Sequence, residues 1–376
     1  MKLRYKALTG TLAVVILAVA WLGWHISHND ECLAPSPPPT GTEMMNAARH
    51  HCFGGPEVLA LEPVEKPRPG NGEILVRVEA AAVNPLDWHY LRGEPYIMRL
   101  MGAGTGTPSD PGLGADFAGV VEAVGSDASH FRTGDRVYGG GSGAFAEFVT
   151  IDVEKSVVKI PQSVSFEQAA GVPVAGITAL QALRDIGKLE AGQKVLVNGA
   201  SGGVGTFAVQ IAKSMGAEVH GVCSTRNVEM VMSLGADRVI DYKNEDYTQG
   251  SVKYDLVVDM VGNHSLLANR KVMTESARLV IVGGSSGKWL GPLMRPLAAL
   301  FINPFVDQRF EMFIATMNRD DLATLAEMMS EGKLRTVVDQ HFPLESIADA
   351  IRYSETGRAR GKIIVDVAPA AGLSRR

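Results

Sequence analysis

The chain has 376 residues, 46% of them hydrophobic and 20% charged, enough for two packed domains that each bury a core. A net charge of -5, with no local cluster of Lys and Arg, offers no basic field for a phosphate backbone and argues against nucleic acid as a partner. Cys32, Cys52 and Cys223 lie far apart and lack the C-x-x-C spacing of structural zinc sites, so neither a disulfide framework nor a metal centre is expected.

Residues 7–26 carry no formal charge apart from His25, and twenty helical residues reach about 30 Å, the thickness of a bilayer core. Lys2, Arg4 and Lys6 precede this span, Trp21 and Trp24 sit near its far end, and Asp30 and Glu31 follow. The pattern predicts one uncleaved transmembrane helix, a single-pass N-terminal membrane anchor. A cleavable signal peptide is the first rival, although no small-residue cleavage site follows at a suitable distance. Translation from Met44 or Met45 is the second. Pro35, Pro37, Pro38 and Pro39 give residues 33–42 the composition of an extended stalk.

Beyond the stalk, Ile74, Val76 and Val78 alternate with charged residues over 73–82, and short runs at 118–124 and 145–149 are separated by Gly-rich turns, which predicts a mostly β domain. After about Gly171 the pattern changes. Apolar runs at 195–197, 219–222, 256–258 and 279–282 alternate with helix-like stretches, the signature of a parallel, doubly wound α/β sheet. A last strand-like run at 362–367 is expected to return to the first domain.

The turn Gly199-Ala200-Ser201-Gly202-Gly203-Val204-Gly205 follows the strand 195–197 and opens a helix-like run through Ala208, Ile211 and Ala212. Glycines allow a pyrophosphate to approach the backbone, and free N–H groups at a helix start supply donors and a favourable dipole. About twenty residues on, where NAD-binding units carry an acidic residue for the ribose, this chain has Ser224 and then Arg226. A hydroxyl and a guanidinium suit a 2'-phosphate, which favours NADPH over NADH.

The run from Gly192 to Gly205, continuing to Gln210-Ile211-Ala212-Lys213, resembles the signature of the quinone oxidoreductase and zeta-crystallin branch of the medium-chain dehydrogenase/reductase superfamily. Gly54-Gly55-Pro56-Glu57-Val58-Leu59 resembles the family's opening, and Asn84-Pro85-Leu86-Asp87-Trp88 its active-site region. Beyond the anchor and stalk at 1–44, the resemblance implies a GroES-like catalytic domain at 45–170 completed by 306–367 and a Rossmann NADPH-binding domain at 171–305, leaving a tail at 368–376. It further implies that Gly202, Gly203 and Val204 meet the pyrophosphate, with Gly199, Ser201 and Gly205 completing the cofactor-binding turn, and that Ser224 and Arg226 meet the 2'-phosphate, assisted by Lys243. Thr178, Val261, Gly262 and Gly283 would line the nicotinamide side. Where zinc-dependent relatives have a Gly-His-Glu motif this chain has Gly114-Ala115-Asp116, and where they have a first Cys ligand it has Asn84, so the catalytic zinc is expected to be absent. Relatives are often dimers, so a homodimer is one option, and the oligomeric state stays open.

Without a Lewis acid to stabilise an alkoxide, plain alcohol dehydrogenation is disfavoured. A quinone or an α,β-unsaturated carbonyl already delocalises the charge that arrives with hydride, and needs orientation plus a donor near its oxygen. The expected function is therefore NADPH-dependent, zinc-independent reduction of a small-molecule quinone or enone, with Asn84, Asp87, His89 and Tyr90 as the polar groups nearest the acceptor. A zinc-type alcohol dehydrogenase and a non-catalytic, membrane-tethered NADPH-binding protein are the alternatives. The positive-inside rule would carry the enzyme across the membrane, away from a cytosolic cofactor, so the side stays open. The apolar stretch 289–305 reads as cavity wall or dimer contact, with contact to the bilayer as the sharper reading.

Overall fold

A computed structural model describes residues 2–32, 41–284, 287–289 and 291–367, without side chains for 2–13 and Pro292. The 33–40 part of the expected stalk and the tail from 368 onward lie outside the described residues.

Strands β1 (Met44–Arg49) and β2 (Ala60–Glu65) pair as an antiparallel ribbon. Next come β3 (Glu73–Val83), β4 (Asp116–Val124), β5 (Arg136–Gly140), β6 (Phe148–Asp152) and β7 (Val157–Lys159). The second half supplies β8 (Lys194–Asn198), β9 (Glu218–Cys223), β10 (Arg238–Asp241), β11 (Tyr254–Asp259), β12 (Met273–Ile281) and β13 (Arg309–Met312), and the chain closes with β14 (Val338–Pro343) and β15 (Lys362–Asp366).

Two sheets organise the molecule. The first has the order β14-β15-β3-β4-β5-β7, with β6 on the free part of β3. The last strand does return to the first domain: β15 pairs antiparallel with β3, Ile364 facing Ala82. The core of this domain, with Val76, Phe117, Val137 and Ile363 fully or almost fully buried, closes against the helix Ile347–Glu355. The second sheet is six-stranded and parallel, in the order β10-β9-β8-β11-β12-β13, the nucleotide-binding order that reverses direction between β8 and β11. Because β13 pairs with β12, this sheet continues past the boundary expected at 305. The expected strand at 145–149 is displaced to Phe148–Asp152, because Phe145 is fully buried and its backbone is spent on Leu113 and Ala48.

At the N-terminus a helix runs from Lys2 to Ser27. The part of the expected span with described side chains is apolar and bare: Val14, Val15, Ile16, Leu17, Val19, Trp21, Leu22 and Trp24 are all exposed. Among the described residues taken alone, no helix is long and apolar enough to cross a membrane. The cysteine expectation needs correction. Cys32 and Cys52 form a disulfide, while Cys223 is buried and free. The chain leaving the helix folds back onto the catalytic domain, Asp30 N–H donating to Gly106, and this brings together two cysteines that sequence spacing kept apart.

Candidate active site

The 199–205 turn sits at the carboxyl end of β8, at the reversal of strand order where open α/β sheets bind ligands. Gly199 has φ +91°, and a Cβ on Gly205 would lie 2.1 Å from the Gly199 carbonyl oxygen, so neither position accepts a side chain without reshaping the turn. The helix Gly203–Ser214 starts at Gly202 and presents its free N–H groups there. A Cβ on Gly202 would meet only the Gly199 oxygen at 3.5 Å, leaving an open cradle that fits a dinucleotide pyrophosphate.

Asn227 ties this turn to the end of β9, its amide donating to Ser201 Oγ at 2.9 Å and to Ser224 Oγ at 3.2 Å. Arg226 is exposed and donates to the Arg358 carbonyl at 2.7 Å, so its guanidinium stays at the surface beside the turn. Lys243 follows β10, whose Asp241 is in register with Cys223, and its ammonium lies over the Tyr242 ring. The structure thus gathers Ser201, Ser224, Arg226 and Lys243 around the ends of β8, β9 and β10.

Val261 and Gly262 follow β11, and Gly283 follows β12. The Asp259 carboxylate accepts from Val261 N–H, Gly262 N–H and the Asn198 amide. A Cβ on Gly283 would lie 2.1 Å from the Met260 carbonyl oxygen, and a Cβ on Gly199 would lie 2.9 Å from a Val261 methyl. The loops expected on the nicotinamide side therefore pack directly on the glycine turn. Thr178, half-buried in the helix Pro173–Gln181, spends its hydroxyl on the Val174 carbonyl at 2.7 Å.

The four candidates of the catalytic domain do not form one constellation. Asn84 and Asp87 are buried together, the Asn84 N–H donating to Asp87 Oδ2 at 2.7 Å at the start of the helix Pro85–Arg92. His89 turns its Nδ1 to the Glu94 carbonyl at 2.6 Å and lies against Trp88, and burial holds its pKa below the usual histidine value. Tyr90 is 41% exposed.

Asn84 instead joins groups from distant parts of the chain. Its amide donates to Asp116 Oδ2 at 2.9 Å, and its Oδ1 accepts from Lys362 Nζ at 2.5 Å. Lys362 also pairs with Asp116 at 3.2 Å, and Asp116 Oδ1 accepts Val174 N–H at 2.9 Å. Lys362 and Asp116 are 2% and 0% exposed, so this is an ion pair removed from water, with hydrogen bonds on both partners. Burial pushes the Asp116 carboxyl up, against the pull of Lys362. Burial, with Asp116 adding to it, pushes Asp87 up to about 7. The network abuts the cofactor turn: Gly361 forms a β-bridge with Gly202, and a Cβ on Gly203 would lie 3.4 Å from Lys362 Cδ.

Residues 70–162 match the alcohol dehydrogenase GroES-like domain, and residues 234–365 match the zinc-binding dehydrogenase model. The chloroplast envelope quinone oxidoreductase homolog of Arabidopsis thaliana is 34% identical over 342 residues, covering 86% of this chain and 99% of that protein. The chain belongs to the quinone oxidoreductase family of the medium-chain dehydrogenase/reductase superfamily. The 2-methylene-furan-3-one reductase of Solanum lycopersicum is 32% identical over 340 residues, 86% of this chain and 80% of that protein. The structure of the quinone oxidoreductase from Coxiella burnetii superposes with a TM-score of 0.76 at 30% identity, covering 87% of this chain and all of that one. Zinc does not fit the residues that this family member places at Asn84 and Asp116. The Asn84 amide and the Ala115 methyl stand where zinc-dependent relatives carry a thiolate and an imidazole, and the Lys362 ammonium already pairs with the Asp116 carboxylate.

Lys362 and Asp259 were not among the residues singled out from the sequence, and Asp116 was noted only for its place in the altered zinc motif. Lys362 opens a strand whose next residues, Ile363, Ile364 and Val365, are core, and a lysine at a strand start reads as a solvent-facing end. Asn198 and Asp259 close adjacent strands, and that pairing of polar residues at two strand ends was the available signal. Arg295 pairs with Asp259 at 2.6 Å and packs beside Gly262, and among the described residues its buried Nε and Nη1 have no hydrogen-bond partner.

Proposed function

We propose that this chain is an NADPH-dependent, zinc-independent reductase of quinones or α,β-unsaturated carbonyls. The observation that carries the reading is the open glycine cradle at the strand-order reversal, set directly against the buried Lys362–Asp116–Asn84 network. A bound nicotinamide supplies the hydride. The chain's part is to hold and orient: the backbone at Gly202 and the N–H groups of Gly203 and Val204 meet the pyrophosphate, and Ser224, Arg226 and Lys243 meet the 2'-phosphate, where a hydroxyl and two cations favour the phosphorylated cofactor. Val261, Gly262, Gly283 and Thr178 shape the nicotinamide side. Asn84 and Asp87 fix the floor of the acceptor site, and Lys362, paired with Asp116, holds the Asn84 amide in place. His89 and Tyr90 form its wall.

The test is cofactor consumption by the full chain in detergent, against quinone and enone panels, with NADH alongside and Arg226→Ala as the probe. We expect NADPH to be preferred, and Arg226→Ala to weaken NADPH by about tenfold while leaving NADH unchanged. Equal use of the two cofactors by the unmodified protein refutes the assignment at Arg226. No turnover on any acceptor, with cofactor still bound, refutes the reductase.

We further read the N-terminal helix as a single-pass anchor, supported by its 26-residue length and the bare apolar row at 14–24. Lys2, Arg4 and Lys6 favour a cytoplasmic N-terminus, and the Cys32–Cys52 disulfide favours an oxidising compartment for the enzyme. Both support a position on the side away from the cytoplasm, which requires a cofactor supply there. Alkaline extraction that releases the protein from membranes defeats the anchor, and digestion of the enzyme by protease added to the cytoplasmic face defeats the orientation.

A further inference from the structure

The helix Gly291–Ile302 carries one charged residue, and that residue points inward: Arg295 is ion-paired to Asp259 at 2.6 Å, and Ala299, one turn on, is 3% exposed. Its opposite face consists of Met294, Leu297, Leu300 and Phe301, exposed by 55, 41, 68 and 75%. Surface helices pack an apolar stripe inward and turn polar residues to water. This one turns its charge inward and large apolar side chains outward, so its outer face is built for contact with something other than water.

The location of that face decides between occupants. The helix begins where the N-terminal helix leaves the region of exposed apolar residues. Trp289 stands beside Gly23, whose Cβ would lie 3.6 Å from its ring, and packs edge-on against Tyr96 at 4.8 Å. The junction is fixed. Arg99, 3% exposed, donates from Nη1 to the carbonyls of Ile26 (3.0 Å) and His28 (2.8 Å), and from Nη2 to Asn29 Oδ1 (2.7 Å). It also lies over the Phe53 ring, and the Cys32–Cys52 bond closes the segment onto the same region. The residues after Arg99, Leu100 and Met101, are 54% and 64% exposed, a second bare apolar patch at the foot of the N-terminal helix.

We propose that the outer face of the helix Gly291–Ile302 rests on the lipid bilayer that the N-terminal helix crosses. The proposal depends on the anchor reading above. A second copy of the chain is the rival occupant, and nothing ties it to the foot of the N-terminal helix. Four large apolar side chains without a competing charge suit an interfacial helix lying in the headgroup boundary, and the clamp on residues 26–32 holds the enzyme in one attitude to the membrane.

Leu297→Cys, Phe301→Cys and Glu245→Cys, each in the full chain, provide the test, with an environment-sensitive fluorophore on the new thiol. Glu245 is exposed near β10, at the opposite edge of the parallel sheet. Cys223 is buried and the other two cysteines are bonded, so labelling is selective. After reconstitution into phosphatidylcholine vesicles carrying doxyl lipids, we expect labels at 297 and 301 to be quenched about threefold or more beyond the label at 245. Vesicle-bound protein with equal quenching at all three sites overturns the proposal and leaves the anchor standing. Failure to float with the vesicles overturns both. Shielding of 297 and 301 that grows with protein concentration in lipid-free detergent assigns the face to a second copy and overturns the proposal.

Discussion

Replacing Lys362 by Met removes the ammonium from a site where it neutralises Asp116 at 3.2 Å and satisfies Asn84 Oδ1 at 2.5 Å. Methionine keeps most of the volume, so the perturbation is chiefly electrostatic. Asp116 is 0% exposed, and a buried charge left without its partner costs about 3–5 kcal/mol. Burial already raises the Asp116 pKa, and losing Lys362 raises it further. A carboxyl whose folded pKa exceeds its unfolded one favours the fold at low pH and loses that contribution as pH rises. The variant should therefore lose about 3–5 kcal/mol at pH 8 and less at pH 5, because protonation of Asp116 removes its need for a counter-charge. Urea unfolding at the two pH values measures both losses. The double variant Lys362→Met with Asp116→Asn should recover stability at pH 8 and lose the pH dependence. A loss below about 1 kcal/mol at pH 8, or the same loss at both, refutes the reading of Lys362 and Asp116 as an ion pair removed from water.

Asp87, raised by burial to about 7, binds its proton more tightly in the folded than in the unfolded chain, so its stabilising contribution is complete below its ordinary pKa of 3.8 and drains away as pH climbs to about 7. Asp87→Asn should flatten the stability profile across that window, checked by denaturant midpoints at several pH values. Cys52→Ser opens a link spanning 20 residues and should cost about 3 kcal/mol in thermal unfolding, a difference that disappears when the unmodified protein is measured in reductant. Gly205→Ala places a methyl 2.1 Å from the Gly199 oxygen and should weaken cofactor binding by about tenfold or more, read by fluorescence titration with NADPH.

The cofactor half of the site was legible in the sequence because its chemistry is local. A strand, a glycine turn and a helix start follow one another within 194–214, and Ser224 and Arg226 lie at a fixed distance along the next strand. Periodicity also read β3, β8, β9, β11 and β12, whose burial alternates or runs unbroken. It passed over β10 and β13, short strands of four residues each at the sheet edges, where partial exposure blurs the pattern.

The catalytic half was not legible, because local periodicity reports which face of an element is apolar and says nothing of which distant residue meets it. Lys362 and Asn84 are 278 positions apart and meet only because β15 pairs with β3. Cys32 and Cys52 look unrelated until the segment after the first helix folds back onto the catalytic domain, and Arg99 looks like an ordinary surface charge until that segment's carbonyls surround it. Sequence by itself determined the nucleotide-binding turn and the family's two-domain plan, since both rest on backbone conformations that a few consecutive residues dictate. Tertiary structure alone decided where the buried charges pair, because desolvated charges must find partners in space wherever the chain happens to carry them.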